Sequence, residues 1–568
     1  MGDTLEIFFT GKYFRIPNYQ RDYTWDVSNV DDLIDDVIES IETETNHYIG
    51  TFILSRVGDE KVFNVVDGQQ RLTTLIMLIN ESLLQLGTER EQTIYGDKFV
   101  RSDQEWRLLL LNDNSKFFQS LLDGGDPTAE TNSQKKLNSA YDRIRTRVAE
   151  LRANGGVATE FIQSIKNLEI MQFTESDDGK AIRMFQTVND RGKPLSNVEK
   201  AKSLLIYYSN RYLDGELDDS INERFGEIFH FYTDIKTKGQ ENGVEVISAA
   251  RFSEDSVMRY HFLAFAEDLY DYSATENYVL DNYLKQTLKP LRTDQAALRA
   301  FIEDYVSDLH GFFASFALIA NEIPESTKYY KLFSNLGIST WLYPLLVRLN
   351  MRGLLDPIND ENELLRLLEL ADLRVYKIRG TNPRADMSFL GRDAKTLDVE
   401  SIRQKLMQFV LDFMSDAELI RRLSADMYPN SALKHIFIEY SEGLLTDGNG
   451  YSIETLRSMN ESQPTVEHIF PRGETFDYPG YGFEDEPDFE NTVNRLGNLT
   501  LLEKSINSKC QNKTPGEKIS RGFYGESQFE DPKRLSANLM NEGGAFTKRH
   551  VEERQMTLST FCLERWHL

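Results

Sequence analysis

An acidic residue beside a histidine, followed by two asparagines nine positions apart, can build a one-metal phosphodiesterase site. The residues are Glu467, His468, Asn498 and Asn507. Glu467 offers a hard carboxylate oxygen to a divalent cation, and Asn507 offers a neutral carbonyl oxygen as a second ligand, which suits Mg²⁺. The imidazole of His468 can take a proton from water near neutral pH. Asn498 can orient that ring through a hydrogen bond, so we predict His468 as the general base and Asn498 as its support.

Short apolar runs around these residues predict the elements that must position them. Residues 468–471 end a short strand, and residues 499–502 form a second apolar strand. A polar helical stretch over residues 504–519 carries Asn507 and is broken at Pro515. Neighbouring strand residues point to opposite faces, but the twist at a strand end can let an adjacent acid and histidine reach one site. The sequence therefore predicts strand, loop, strand and helix around the four polar residues.

This order of elements resembles the HNH (His-Me finger) nucleases, in the branch with a His-x-x-Pro box and a Leu-Gly-Asn-Leu-Thr-Leu-Leu box. The resemblance implies Glu467 and Asn507 as the metal ligands, His468 as the general base and Asn498 as the middle HNH residue. Many HNH proteins add cysteine pairs that hold a structural zinc, and this chain lacks them. Two oxygen ligands without a cysteine pair predict Mg²⁺ or Mn²⁺ as the cofactor and no structural zinc.

A second group of candidate residues lies in a strand, turn and helix pattern over residues 65–75. Apolar residues recur at helical spacing from Leu72 onward, so the turn formed by Asp67 and Gly68 precedes a helix. The free N–H groups at a helix N-terminus favour an anion. Three side chains can add donors around a phosphate: Gln69, Gln70 and Arg71.

Two further segments carry polar residues suited to contact with a ligand. Residues 14–25 contain Pro17 and spaced aromatic residues, which favour a rigid extended segment. Residues 184–196 contain a glycine turn and lead into a helix with a Ser196-x-x-Glu199 capping box. The candidate contacts in the two segments are Tyr19, Gln20, Arg21, Asn189, Arg191 and Lys193.

Together these segments resemble the ParB-like N-terminal domain of GmrSD-type type IV restriction systems, which attack modified phage DNA. The resemblance covers about residues 10–205 and about residues 430–568. In that family the Asp-Gly-Gln-Gln-Arg box is associated with nucleotide binding and hydrolysis, which implies a site for GTP or ATP at residues 67–71. The Tyr-Gln-Arg box, and the Asn-Asp-Arg-Gly-Lys segment with it, can serve either the nucleotide or a pocket for the DNA modification.

The predicted fold class is α+β and mostly helical. Its parts are a ParB-like α/β domain for nucleotide binding and DNA sensing over residues 1–205, a helical linker domain over 206–425, and a ββα-metal (HNH) nuclease domain over 426–568. A chain of 568 residues allows about two to four domains. Apolar residues at three- and four-residue spacing predict the helices of the middle part.

The composition and the sequence patterns argue against a membrane protein, a secreted protein and a strongly basic DNA-binding protein. The sequence contains no run of about twenty apolar residues, so we expect no transmembrane span and no membrane partner. The N-terminus lacks a signal-peptide pattern, and two cysteines in so long a chain favour a cytoplasmic location. The formal charge of −27 argues against electrostatic binding of nucleic acid over a broad surface. Basic clusters at residues 135–147 and 374–384 fit either local phosphate contacts or ordinary helix faces.

The sequence as a whole predicts a prokaryotic defence endonuclease that is modification-dependent (type IV). Nucleotide binding or hydrolysis would be coupled to metal-dependent cleavage or nicking of modified double-stranded phage DNA. One HNH site cuts one strand per event, so a double-strand break needs two events or a homodimer. Two alternatives stay open: an NTP-regulated toxin nuclease that acts on DNA or RNA irrespective of modification, and a DNA-binding protein with an idle nuclease fold.

Overall fold

The computed structural model describes most of the chain and divides it into two compact units. The described residues are 3–17, 20, 22–42, 48–57, 59–153, 158–175, 196–445, 450–473, 477–541 and 545–568. One unit is Met1–Thr233 with Leu280–His310, and the other is Asp234–Val279 with Gly311–Leu568. Helices dominate and the sheets are small, so the predicted α+β, mostly helical class is confirmed. Among the described residues, no helix combines the length and the apolar character that a membrane crossing requires.

The first unit is built on a mixed sheet of six strands. Among the described residues of this part of the chain, the strands are β1 Asp3–Thr4, β2 Tyr13–Arg15, β3 Tyr48–Val57, β4 Asp59–Asp67, β5 Arg101–Ser102, β6 Glu105–Trp106, β7 Leu108–Leu109 and β8 Glu169–Glu175. The order across the six-stranded sheet is β1-β8-β3-β4-β2-β7, and β5 pairs with β6 separately. Strand β3 runs parallel to β8 and antiparallel to β4, and Ile53 lies opposite Asp67 at the end of β4.

Helices cover this sheet and bury its apolar side chains. The helix Gln69–Leu86 follows β4 directly and packs against the helices Asn132–Ala153 and Ala158–Asn167. Its apolar stripe, which includes Leu72 and Leu83, is buried, as the sequence predicts. The other helices of this part are Leu5–Phe9, Val27–Glu42, Glu89–Phe99, Asn112–Leu122 and Asn197–Tyr212. The capping box predicted before the last of them is present.

Arginines of both basic clusters pair with carboxylates of the protein itself. In the first, Arg143 lies 2.8 Å from a carboxylate oxygen of Asp31, and Arg147 lies 3.2 Å from the same oxygen. In the second, Arg374 is buried and lies 2.6 Å from Asp416. Opposite charges on adjacent helices neutralise one another, so these arginines are structural groups and not a free surface for phosphate.

The middle of the chain is helical throughout. No strand occurs in residues 206–425, all of which are described. The three-domain division with boundaries at residues 205 and 425 remains a prediction. The α-helices are Asp218–Glu241, Glu245–Ser248, Glu254–Phe265, Glu276–Tyr278, Lys285–Leu291, Gln295–Glu322, Thr327–Tyr330, Tyr343–Met351, Leu364–Leu370, Arg384–Asp393, Val399–Phe413 and Asp416–Leu423. The π-helical segments are Val279–Leu284, Lys331–Leu336 and Ala371–Ile378, and the 3₁₀ turn is Thr340–Leu342.

The C-terminal part contains two short strands among helices. Strand β9, Thr465–His468, pairs antiparallel with β10, Leu499–Leu502. The helix Lys504–Cys510 follows β10, and the helix Pro515–Ser520 starts at the predicted break. The other helices are Leu433–Gly443, Ile453–Glu461, Glu486–Val493, Glu530–Asn541 and the closing helix Lys548–Arg565, with 3₁₀ turns at Pro479–Tyr481 and Leu496–Asn498. A pair of four-residue strands is marginal alone, so it depends on the apolar cluster that surrounds it.

Candidate active site

His468 is the last residue of β9, which ends earlier than the predicted residue 471. The ring packs edge-on against Tyr428 with the centroids 4.6 Å apart. Its Nε2 lies 3.2 Å from Oδ1 of Asn494, which accepts a hydrogen bond when Nε2 carries the proton. Burial lowers the pKa of His468 to about 4, although the hydrogen bond to Asn494 acts in the opposite direction. The ring is therefore neutral at pH 7, with Nδ1 as the nitrogen that can accept a proton.

Glu467 lies on the other side of β9 and is buried with a cation. Its Oε1 lies 2.7 Å from Nζ of Lys518 and 3.1 Å from the hydroxyl of Tyr524. Burial raises the pKa of Glu467 above its usual value, while Lys518 and Tyr524 act to lower it. The Glu467 carboxylate and the His468 ring contact different residues. These contacts therefore do not show the predicted convergence of the two side chains at the strand end.

Lys518 links the buried carboxylate to the main chain of the candidate base. Its ammonium group also donates to the carbonyl oxygen of His468 at 2.7 Å and to that of Ile469 at 3.0 Å. An ammonium group has three donors, and these three bonds use all of them. The side chain is fully buried, which a lysine tolerates only when it is paired. Lys518 therefore fixes the position at which β9 ends.

Asn498 supports the chain after His468 and not the imidazole. Its Oδ1 accepts a hydrogen bond from the N–H of Phe470 at 2.8 Å, and its Nδ2 donates to the carbonyl oxygens of Phe470 at 3.1 Å and Val493 at 2.8 Å. In the described part of the chain, the ring contact predicted for Asn498 is made by Asn494. The N–H of Ile469 still bonds the main-chain carbonyl oxygen of Asn498 at 2.9 Å, and from Phe470 onward the side chain of Asn498 takes the place of the strand ladder.

Asn507 holds the helix that follows β10 against the start of β9. Its Nδ2 donates to Oγ1 of Thr465 at 2.8 Å and to the carbonyl oxygen of Val466 at 3.3 Å. These two bonds fix the plane of the amide and direct its nitrogen, not its oxygen, toward the strand. Within the described residues, no group of three or more His, Cys, Asp or Glu side chains is placed to hold a metal ion. The predicted metal-ligand roles of Glu467 and Asn507 stay predictions.

Sequence reasoning missed Lys518, Tyr524, Asn494 and Tyr428 as parts of this site. Asn494 stands only four positions before Asn498 and two positions before the Leu-Gly-Asn-Leu-Thr-Leu-Leu box, so its spacing was a usable signal. Tyr428 packs on the His468 ring, and no feature of the sequence marks it. Lys518 and Tyr524 meet a requirement that the sequence does indicate. A carboxylate on a buried strand needs a cation or several donors, but the sequence does not show which residue supplies them.

The N-terminal candidate site begins at a turn that only glycine can form. Asp67 ends β4, and Gly68 has a φ of 89° before the helix Gln69–Leu86. A Cβ atom on Gly68 would lie 2.4 Å from Cδ1 of Phe52. Positive φ and the adjacent aromatic ring both exclude a side chain here. The helix N-terminus predicted to bind an anion is therefore present and closely packed.

We expect Gly68→Ala to lower the free energy of unfolding by about 2 to 4 kcal/mol, because it combines a strained backbone with overpacking against Phe52. Gly124→Ala is a matched control, because Gly124 has a φ of 80° and nothing within 4 Å of its Cβ position. The control should cost only about 1 kcal/mol. Urea unfolding measures both free energies of unfolding. Equal losses would show that the contact with Phe52 does not contribute to the destabilisation.

Asp67 and Arg71 lie in a largely buried environment behind this turn. Burial raises the pKa of Asp67 to about 6, although the Gly68 N–H and the charge of Arg71 act in the opposite direction. Burial also lowers the pKa of Arg71 from its usual value. The guanidinium group lies 5.7 Å from the ring centroid of Phe52 and makes a long 3.4 Å bond to the carbonyl oxygen of Thr51. An arginine held by such weak contacts keeps donors for a phosphate.

Gln69 and Gln70 are engaged by the protein. Gln70 accepts from the N–H of Thr24 at 2.8 Å and donates to the carbonyl oxygen of Asp22 at 3.0 Å. Gln69 donates to Oε1 of Gln20 at 3.1 Å, and Gln20 donates to the carbonyl oxygen of Val66 at 2.7 Å. These amides join the two predicted boxes, and their predicted role as phosphate donors stays untested. The other candidate contacts lie outside the described residues: Tyr19, Arg21, Asn189, Arg191 and Lys193.

Comparison with known families gives two matches. The model described as GmrSD restriction endonuclease, N-terminal domain, matches residues 5–206. The model described as GmrSD restriction endonucleases, C-terminal domain, matches residues 415–561. No curated protein gives a significant match to the chain. The two matched ranges include both candidate sites, and the resemblance stated from the sequence is confirmed. The chain belongs to the GmrSD restriction endonuclease family.

Proposed function

We propose that this chain is a modification-dependent (type IV) DNA endonuclease of anti-phage defence, in which nucleotide binding or hydrolysis at Asp67–Arg71 controls cleavage at His468. The family supports a restriction endonuclease with DNA as its substrate. The single observation that carries the catalytic part is the position of the His468 imidazole at the end of a strand, with its Nε2 held 3.2 Å from Oδ1 of Asn494. A ring held in this position suits the removal of a proton from water.

The residues around His468 would have different roles in hydrolysis. Nδ1 of His468 would accept the proton of the attacking water, while Asn494 keeps the proton on Nε2. Arg472 is exposed and lies 5.2 Å from the ring centroid of Tyr428, which itself packs on His468. Its guanidinium group would contact a DNA phosphate beside the base. Asn498 and Lys518 hold the main chain on which the base depends.

Carboxylate and amide oxygens are the ligand types that a hard divalent cation takes, and Glu467 and Asn507 carry one of each. Glu467 and Asn507 would hold Mg²⁺ or Mn²⁺, which also takes ligands from water and from substrate phosphate. When bound, such an ion would stabilise charge on the scissile phosphate and on the leaving oxygen. The Lys518 ammonium shares the Glu467 carboxylate, so the cation would bind beside an existing positive charge.

We expect cleavage to require a divalent cation with oxygen ligands. Protein treated with a chelator should be inactive, and Mg²⁺ or Mn²⁺ should restore nicking of supercoiled DNA, because carboxylate and amide oxygens prefer these ions. Elemental analysis of the purified protein is the control. Stoichiometric, tightly bound zinc, or full activity after chelation, would contradict this expectation.

We expect Arg71→Ala to abolish NTP binding or turnover while leaving the residues around His468 unchanged. Arg71 is the cation at the helix start, where it and the main-chain N–H groups would hold a phosphate. His468→Ala is the reciprocal control and should retain NTP turnover. Measuring turnover of ATP and GTP in both variants tests the division. Normal turnover in Arg71→Ala, or loss of turnover in His468→Ala, would show that the two-site arrangement is incorrect.

Cleavage of matched DNA substrates tests the function as a whole. Phage DNA with and without base modification should be compared, with each NTP and without nucleotide. Cleavage confined to modified DNA supports the proposal. Equal cleavage of both substrates, or cleavage of RNA, would favour a toxin nuclease instead. The ratio of nicked to linear plasmid at different protein concentrations shows whether a double-strand break needs a homodimer.

A further inference from the structure

The guanidinium group of Arg71 lies directly against the main chain of strand β3 at Gly50. A Cβ atom on Gly50 would lie 2.7 Å from Nη1 of Arg71, 2.9 Å from Cζ and 3.1 Å from Nη2. Three atoms of one planar group can be almost equally far from a point at this range only if the point lies above the plane. The guanidinium therefore lies flat on Gly50, and a side chain at that position would overlap it.

The backbone of β3 is irregular at the same point. Gly50 has a φ of 114°, which residues with a Cβ atom rarely adopt. The pairing of β3 with β8 shifts between Tyr48 and Gly50, so Ile49 is the extra residue of a β-bulge. Bulges change the direction of a strand locally and often lie beside functional groups. This bulge lies where the strand meets the side chain of Arg71.

Phe52 supports the guanidinium next to Gly50. The two residues are two positions apart on a regular part of β3, so they share one face of the strand. Cζ of Arg71 lies 5.7 Å from the centroid of the Phe52 ring. The same ring would meet a side chain at Gly68, where the helix Gln69–Leu86 begins. One face of β3 therefore supports both Arg71 and the start of its helix.

The polar contacts of Arg71 are too weak to fix the direction of its guanidinium. Its hydrogen bond to the carbonyl oxygen of Thr51 is 3.4 Å long, and it is the one such bond of Arg71 in the described part of the chain. A guanidinium group has five N–H donors, so most of them remain available to a ligand. Packing against Gly50 and Phe52 is what holds the group in place.

We propose that Gly50 is a positioning residue of the nucleotide site. Because it has no Cβ atom, the guanidinium of Arg71 lies flat on β3, and its donors are held in place for a phosphate of the nucleotide. This inference rests on the proposed role of Asp67–Arg71 in nucleotide binding. An arginine that is ordered before the ligand arrives loses less side-chain entropy on binding, which raises the affinity.

Nucleotide affinity of the full chain tests the proposal, with ATP and GTP as separate probes. Gly50→Ala should weaken binding by about tenfold or more, because the displaced guanidinium loses a charge-assisted bond to phosphate. In the Arg71→Lys background the same change should alter the affinity by less than about twofold, since an ammonium lacks the planar group that meets the new methyl. Gly11→Ala is the matched control and should leave the affinity unchanged, because Gly11 has a φ of 69° and nothing within 4 Å of its Cβ position.

Urea unfolding without nucleotide measures the contact between Gly50 and Arg71 independently. Gly50→Ala should lower the urea concentration at the midpoint of unfolding. Arg71→Ala should remove part of that loss, because the added methyl then has no guanidinium to displace. A glycine that serves the bulge alone would give the same loss in both backgrounds.

The outcomes separate this inference from the proposed function. Wild-type affinity in Gly50→Ala, or an equal loss of affinity with and without Arg71→Lys, would overturn the positioning role and leave nucleotide binding intact. Absence of nucleotide binding by the wild-type chain would refute the proposed function on which the inference rests. If Gly50→Ala does not fold, folding of the double variant with Arg71→Ala supports the contact. Failure of both to fold would show that Gly50 serves the bulge and would overturn the proposal.

Discussion

Replacing His468 with alanine is expected to abolish DNA cleavage while the fold and DNA binding stay nearly intact. The ring is half-buried at a strand end, and its contacts are one amide and one aromatic side chain. Loss of a general base typically reduces the rate by about 10²- to 10⁴-fold. Nicking of supercoiled DNA measures the rate, a gel-shift assay measures binding, and circular dichroism measures the fold.

Asn494→Ala is the matched control for the base. It removes the hydrogen bond that fixes the tautomer but leaves the imidazole in place. We expect a smaller loss, about 10- to 100-fold, as is typical when a residue that orients a functional histidine is removed. A folded His468→Ala protein that cuts at the wild-type rate would refute the catalytic assignment. A loss in Asn494→Ala equal to that in His468→Ala would show that orientation accounts for the whole effect.

Lys518→Met is expected to destabilise the second unit by about 3 to 5 kcal/mol, because it leaves a buried carboxylate without its cation. The exposed fractions of the Lys518 and Glu467 side chains are 0% and 5%. Methionine keeps most of the aliphatic volume, so the change isolates the charge and its three hydrogen bonds. Urea unfolding followed by circular dichroism measures the free energy of unfolding.

Lys509→Met provides the control for this second change. Lys509 lies 3.1 Å from Glu526, but both side chains are 53% exposed, so this pair should contribute less than about 1 kcal/mol. The double variant Glu467→Gln with Lys518→Met should recover part of the lost stability, since a neutral amide is less costly to bury than an unpaired carboxylate. Equal stability of the Lys518→Met and Lys509→Met proteins would contradict the role given to the buried pair.

The local structure around both candidate sites could be predicted from the sequence. Apolar runs of four residues indicated β10, and the helical stripe from Leu72 indicated the helix after the Asp67 turn. Glycine and proline marked the turn at Gly68 and the break at Pro515. These features depend on residues near one another in the chain, so periodicity and turn chemistry are sufficient to find them.

Contacts between distant segments could not be predicted in the same way. Lys518 lies fifty positions after His468, and nothing in its neighbourhood marks it as buried. Gln69 and Gln70 were expected at a phosphate, yet their amides form hydrogen bonds with Gln20, Asp22 and Thr24. The need for glycine at position 497 also arises from a distant segment. A Cβ atom on Gly497 would lie 2.0 Å from the carbonyl oxygen of Val551 in the closing helix. Only the tertiary structure shows which surface each residue meets.

The pairing of Arg143 and Arg147 with Asp31 has a consequence for how DNA binding should respond to ionic strength. Arginines that already contact a carboxylate displace few condensed counterions from the DNA backbone. Together with the formal net charge of −27, this pairing predicts a shallow slope of log K against log salt, corresponding to few neutralised phosphates. A protein with such a slope gains little affinity for arbitrary duplex when salt is lowered. Its discrimination between DNA substrates would then depend on contacts to the bases, whose free energy changes little with the salt concentration.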